Sequence, residues 1–245
     1  MSGIKVITKH QSIVQHDIIN TMDQEIIEWH LQPYSSVVLI NEYMYPSGNY
    51  TQHIKFFLDQ GSSLYYFPLL LEGTHIDFSL SLLLAKEANA QVNGVYALNA
   101  QDNYLIKTVQ QHKGANSTSR LVFNGLAADQ SLIHYTGLIA VDKTASQSNA
   151  SQENKTILFG HSARAISVPA LEVQTNDVHC AHGSAVGPLS NELIYYAQSR
   201  GMDFKRAQKL LLTSFLSQTL SVLPNERLKT SIINTVINKV LKKDL

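Results

Sequence analysis

From Ile76 to Leu84 an apolar residue stands at every second position (Ile76, Phe78, Leu80, Leu82, Leu84). Only an extended strand with one face buried keeps all five side chains on one side of the backbone. Similar runs surround it: Ser36 to Ile40, the alternating Leu64, Tyr66 and Pro68, then Gln91 to Leu98, Tyr104 to Val109, Ser119 to Asn124 and Leu132 to Val141. Turn-forming pieces separate them, among them Asn93-Gly94, Gln101-Asp102-Asn103, Lys113-Gly114 and Asn124-Gly125. Strands therefore recur about every 10 to 15 residues with no helical segment between them. An all-β sandwich and a parallel β-helix both satisfy that spacing. No internal repeat is strong enough to choose between them.

Two stretches depart from this pattern. Residues 1–60 mix short apolar pairs such as Ile18-Ile19 and Ile26-Ile27 with polar residues, which predicts an irregular N-terminal segment. Thr144 to Asn154 is polar and small-chained, which predicts an exposed loop or a polar strand edge before strand character resumes at Thr156 to Phe159, Ala170 to Val173 and Val178 to His182. Beyond residue 189 the period becomes helical. Ser190 is a predicted N-cap for a helix over Asn191 to Arg200, Gly201 its stop, and Asp203 the N-cap of a second helix over Phe204 to Val222. After Pro224 a third helix is expected over Glu226 to Lys242, with a broad apolar face made by Leu228, Ile232, Val236 and Val240 beside Ile233, Ile237 and Leu241.

Charge excludes some partners. Lysine plus arginine and aspartate plus glutamate number 19 each, so no global field draws the chain to nucleic acid or to an anionic membrane. Charged residues are only 16% of the chain, and Asn, Gln, Ser and Thr take over the polar role, which suits β structure better than a charged helical bundle. No stretch reaches 18 consecutive apolar residues and Met1 to Ile13 lacks the pattern of a secretory signal, which predicts a soluble cytoplasmic protein.

Cys180 is the single cysteine, so an internal disulfide is impossible and a cysteine-ligated metal must take its other ligands from other residue types or another chain. His182 lies two residues further on. If the backbone there is extended, the thiol and the imidazole share a face while His179 points away. Such a pair suits a soft or borderline metal, but zinc and iron-sulfur sites take about four protein ligands. Two ligands make half a site. Spacing alone also fits a plainer outcome, an inert half-buried cysteine beside a structural histidine.

A longer stretch carries more information. Asp177-Val178-His179-Cys180-Ala181-His182-Gly183-Ser184-Ala185-Val186-Gly187-Pro188-Leu189 closely resembles the Asp-Val-x-Cys-x-His-Gly-x-x-Val-Gly-x-Leu pattern of the SufB/SufD family, in its SufD form. Upstream, Pro169 to Val173 resembles the family's Pro-x-Leu-Glu-Ile segment, and Gln152-Glu153-Asn154 before Ile157-Leu158 its Gln-x-Asn-x-x-Leu-Leu. Downstream, Leu193 to Tyr196, Ser199-Arg200-Gly201, Ala207, Leu210-Leu211 and Phe215 are similar to its C-terminal helix pair. The likeness is dense over about Gln152 to Leu220, thins to strand order and to His112, Ser117 and Ser119 between Gly61 and Val141, and is not visible before Gly61.

This resemblance implies a mainly β fold: a right-handed parallel β-helix core over 61–188, followed by a small C-terminal α-helical domain over 189–245. It further implies a non-catalytic subunit of iron-sulfur cluster assembly that pairs with a SufB-like subunit, or with a second copy of itself, through the β-helix edge. By the same resemblance Cys180 and His182 are the cluster or metal ligands at that interface, where a transient iron-sulfur cluster is shared. The region Leu193 to Leu220, with Leu193, Tyr196, Arg200, Leu211 and Phe215, is then the docking surface for a SufC-type ABC ATPase. Two features depart from the family: most of its N-terminal helical region is missing, and no cysteine matches the one that SufB-type members carry on an upstream strand.

Other functions are less well provided for. A carbohydrate-active or carbohydrate-binding β-helix would need acids gathered on one strand face, and only scattered ones such as Asp77 and Glu72 are present. A purely structural homo-oligomer is a third alternative. His53, His75, His112, His134 and His161 show no recurrent ligand spacing, and there is no phosphate loop, nucleophile elbow or His-Glu-x-x-His motif. Arg200, at the end of the first helix, serves either the helix dipole or an ATPase contact.

Overall fold

A computed structural model describes residues 2–20 and 26–241. Among the described residues fourteen strands are followed by three helices: β1 (Ser2–Ile7), β2 (Ser12–Ile19), β3 (Ile26–Leu31), β4 (Ser36–Met44), β5 (Asn49–Leu58), β6 (Ser63–Glu72), β7 (His75–Leu84), β8 (Asn89–Leu98), β9 (Asn103–His112), β10 (Thr118–Ala128), β11 (Leu132–Val141), β12 (Ser148–Phe159), β13 (Arg164–Val173), β14 (Val178–Gly187), α1 (Asn191–Ser199), α2 (Phe204–Thr219) and α3 (Glu226–Leu241). Odd-numbered strands form one seven-stranded sheet and even-numbered strands another. All pairings are parallel. The chain therefore winds from one sheet to the other and back. Asn49 lies opposite His75, His75 opposite Asn103, and Asn103 opposite Leu132, a coil of roughly 24 to 32 residues per turn when all rungs are included. The fold is the expected parallel β-helix.

The coil has a repeat that letters do not reveal. At the corner that leads from odd to even strands, one residue per turn takes a left-handed conformation: His10, Tyr34, Gly61, Glu87, Asn116 and Gln147. From Tyr34 onward each donates its backbone N–H to the corner of the next turn: Tyr34 to Gln60, Gly61 to Lys86, Glu87 to Ala115, Asn116 to Ser146, all near 3.0 Å, and Gln147 to Asp177. That bond offsets the roughly 1–2 kcal/mol a side chain pays in this conformation. Six positions thus hold six different residue types, while the turn length also drifts.

The corner pattern corrects three expectations. The described residues of 1–60 are not irregular: β1 to β5 form the first coils, and β2 alternates outward and inward along its whole length. These strands were hidden because their inward positions include polar Gln15 and Asp17. Thr144 to Asn154 is not a loop or an edge beyond residue 148; it opens β12, an interior strand between β10 and β14 whose inward Ser148, Ala150, Gln152 and Asn154 are buried. Asn93-Gly94 and Asn124-Gly125 are not turns but lie inside β8 and β10. There the glycines make room for rings. A Cβ on Gly94 would stand 2.7 Å from the Phe123 ring, and one on Gly125 would overlap Tyr96. The asparagines face the other way and hold the end of α2, through Asn93 Nδ2 to the Thr219 carbonyl (2.8 Å) and Asn124 Nδ2 to Thr219 Oγ1 (3.0 Å).

The helices match their predicted caps. Ser190 accepts from the Leu193 N–H and Asp203 from the Arg206 N–H, and Gly201 turns the chain between them at a positive φ. Lys242, the last residue of the expected third helix, lies outside the described residues. α2 and α3 lie on the outer face of the even sheet, where Leu212, Leu216, Ile233 and Val236 meet Phe67, Leu69, Val95 and Leu126. A polar tie reinforces this packing: Lys239 Nζ sits 3.0 Å from Asp102 and 3.3 Å from the Tyr104 hydroxyl, and Asn99 donates to the Lys239 carbonyl.

Candidate functional site

The lumen of the coil changes character along its axis. Through β8 it is filled by Trp29, Leu31, Leu39, Phe56, Tyr66, Phe78, Leu82 and Val92. From β9 onward polar side chains join Tyr104, Ile106, Phe123 and Tyr135 in the lumen, and many of them hydrogen-bond one another. His112, fully buried, meets Ser117 through Nδ1 and Ser119 through Nε2, each at 2.7 Å, and Ser117 meets Ser148 at 2.9 Å. Burial lowers the His112 pKa to about 4, so the ring is neutral at physiological pH. Asn154 donates to the Phe123 carbonyl and to the Tyr96 hydroxyl, and Tyr135 bonds Thr108.

The last coil is the mouth of this polar half. β13 pairs only with β11 and β14 only with β12, so each leaves one backbone edge unpaired among the described residues. On β12 the inward residues Ala150 and Gln152 stand opposite Cys180 and His182 of β14. Partners in a parallel ladder share a face. Thiol and imidazole therefore project side by side into the mouth, and His179 points away, as the two-residue spacing requires. Cys180 is half-buried against Ile139, Val141, Ala145 and Ala150, and this burial raises the pKa of its thiol. A metal that binds there must displace a proton. His182 is exposed.

Among the described residues no group of three or more His, Cys, Asp or Glu side chains is placed to hold a metal ion. The rim around the pair is apolar and open: Leu171 and Val173 of β13 and Val186 of β14 are 39%, 43% and 42% exposed, although the partners of the first two in β11, Ile139 and Val141, are fully buried. Leu171 and Val173 occupy core positions of a coil that has no further turn above it. Their partial exposure could not be read from the sequence, where they look like any other strand residues.

The expected docking residues separate into two groups. Leu193, Tyr196 and Arg200 stand exposed along α1, with the Arg200 guanidinium 5.3 Å from the centre of the Tyr196 ring. Phe215 instead packs against the helix-to-sheet core, and Leu211 is half-buried. Tyr195, Phe204 and Leu210, which lie in the expected docking region but were not among its named contact residues, are also exposed apolar residues of α1 and α2. Their signal was available: each falls off the buried stripe of its helix.

A parallel β-solenoid with a thiol and an imidazole side by side on its last coil, followed by three helices with exposed apolar residues, defines the class of this protein as a β-solenoid with a C-terminal helical appendage. More particularly, the chain belongs to the family of the SufBD core domain of SUF system FeS cluster assembly, which matches residues 2–215. It is 25% identical over 189 residues to the iron-sulfur cluster assembly protein SufD of Escherichia coli (strain K12), covering 77% of this chain and 45% of that protein. It is 28% identical over 129 residues to the iron-sulfur cluster assembly protein SufD of Bacillus subtilis (strain 168), covering 53% of this chain and 30% of that protein. A SufBD family protein of Synechocystis is 25% identical over 153 residues, which are 62% of this chain and 31% of that protein. The chain thus spans less than half the length of each of these relatives. No helix among the described residues is long and apolar enough to cross a membrane.

Proposed function

We propose that this chain is a non-catalytic, SufD-like subunit of iron-sulfur cluster assembly whose open coil pairs with a SufB-like subunit. The observation that carries this reading is the placement of Cys180 and His182 on one face of an unpaired last coil, within an exposed apolar rim. The nascent cluster is cargo, held in transit between two chains. Cys180 would give a thiolate and His182 a neutral imidazole nitrogen, and the partner would complete the shell of about four ligands. Leu171, Val173 and Val186 would be covered on pairing, and burying such apolar surface is favourable at roughly 25 cal/mol per Å².

The exposed face of α1 and the start of α2 would dock a SufC-type ABC ATPase, with Leu193, Tyr196 and Arg200 at the contact. Phe215 supports that surface from beneath. A carbohydrate-directed role is disfavoured by Glu72 and Asp77 standing on different sheets.

Co-expression with a SufB-like subunit and a SufC-type ATPase tests the assignment. Both partners are expected to co-purify with the chain. Leu171→Asp with Val173→Asp is expected to release the SufB-like subunit, and Tyr196→Ala with Arg200→Ala the ATPase. Retention of both partners by both variants would contradict the reading.

A further inference from the structure

Beneath the mouth, three strands cooperate to hold one amide. Gln152 of β12 and Gln110 of β9 are both buried to 3% exposure or less, and Gln110 Nε2 donates to Gln152 Oε1 at 3.4 Å. Between their turns lies Gly137 of β11, whose missing side chain is what admits Gln152: a Cβ there would overlap the Gln152 amide. Gln110 reaches from the β9 turn to the Gln152 amide in the β12 turn. His182 comes next, directly opposite Gln152 in the β12–β14 ladder and so about 4.8 Å above it.

The arrangement is kept at a cost. Gln110 Oε1 is buried with no hydrogen-bond partner, and an orphaned buried acceptor is destabilising. An apolar pair would fill the same space without it. Sites that break a local rule of packing in this way are commonly those that function requires.

We propose that Gln152 is the positioning residue for His182, accepting the imidazole N–H on Oε1 so that the other ring nitrogen is bare and aimed out of the mouth. The inference rests on His182 being a ligand, as argued above. Gln152 Oε1 has two lone pairs and Gln110 uses one of them. An imidazole that ligates a metal donates its remaining N–H to a neighbouring acceptor, which fixes both tautomer and ring orientation. Among the described residues His182 makes no hydrogen bond, and the buried amide on the rung directly below it is that of Gln152, the acceptor this proposal assigns to it. Gly137 and Gln110 act one step further back, by holding the Gln152 amide in place.

The test uses the whole chain labelled with nitrogen-15, reading the imidazole tautomer of His182 by long-range proton–nitrogen correlation, with Co(II) as a separate probe. In the wild type one tautomer is expected to dominate. Gln152→Leu and Gly137→Ala are each expected to release it to the mixture of a free imidazole, and Gln152→Glu, which keeps an acceptor, to restore it. Co(II) affinity is expected to fall by about 10- to 100-fold in Gln152→Leu and to recover in Gln152→Glu. Identical tautomer populations in the wild type and in folded Gln152→Leu would overturn the positioning role. A His182→Ala chain that binds Co(II) as tightly as the wild type would instead overturn the ligand role, whatever the tautomer, so the two failures are distinguishable.

Discussion

The two halves of the lumen solve the same packing problem by different chemistry. Up to β8 the coil is closed by stacked apolar and aromatic side chains, with Phe78 meeting Tyr43 at a ring separation of 5.6 Å and Tyr66 meeting Phe56 at 5.1 Å. From β9 to β12 it is closed by hydrogen bonds among His112, Ser117, Ser119, Ser148, Gln110, Gln152 and Asn154. Apolar filling is the more tolerant solution, since any shape-compatible residue contributes. A polar lumen depends on its groups finding partners, which all but Gln110 Oε1 and Asn154 Oδ1 of these residues do. Its position next to the mouth explains why it is there: the last coils must bridge from a dry core to a surface that carries a thiol and an imidazole.

Substitutions can break this contrast in order of size. Phe78→Ala in the dry half is expected to cost about 3–5 kcal/mol, the usual price of emptying a sealed aromatic position, read as a lower denaturant midpoint. A loss below about 1 kcal/mol would mean that the dry half is far less tightly packed than its ring contacts imply.

Acid probes the polar half. Folded His112 has a pKa of about 4 against an ordinary 6.5, so between those values the unfolded chain binds a proton that the folded chain refuses. Stability is therefore expected to be unaffected by this group above pH 6.5 and to fall as pH drops from 6.5 toward 4, by up to about 3 kcal/mol. His112→Gln, which does not titrate, should flatten that part of the profile. An unchanged slope would assign the acid sensitivity to other groups.

At the mouth itself the expected effect on stability is the smallest. Leu171→Asp and Val173→Asp should each cost the isolated chain about 1 kcal/mol, less than a sealed position, because each stands partly exposed on the last coil over Ile139 and Val141. Their larger effect should appear when a partner is added. A large loss in the isolated chain would show that these residues belong to the core.

Much of this was legible in the residues. Alternation located β7, β9 and β11, helix caps located α1 and α2, Pro224 and the apolar repeat after it located α3, and the string around Cys180 pointed to the family while the two-residue spacing gave Cys180 and His182 a shared face. What was not legible has common physical causes. The solenoid repeat is written in backbone conformation, which residues as unlike as Tyr34, Glu87 and Gln147 can each adopt when a hydrogen bond to the next turn holds them. Polar inward residues such as Ser148, Gln152 and Asn154 disguised a buried strand as a loop. Asn-Gly pairs that ordinarily mark hairpins here seat an aromatic ring on one face and a helix end on the other. The exposure of Leu171 and Val173 depends on where the coil stops, and residue order alone does not disclose that.

The most direct test is anaerobic cluster reconstitution on this chain, alone and together with a SufB-like subunit, followed by absorption spectroscopy and iron and sulfide analysis. A stable cluster is expected only on the pair, with yield sharply reduced by Cys180→Ala and by His182→Ala even though both variants still pair. Full cluster loading of the pair by both variants would show that the ligands come from elsewhere and would contradict a site shared across the open coil.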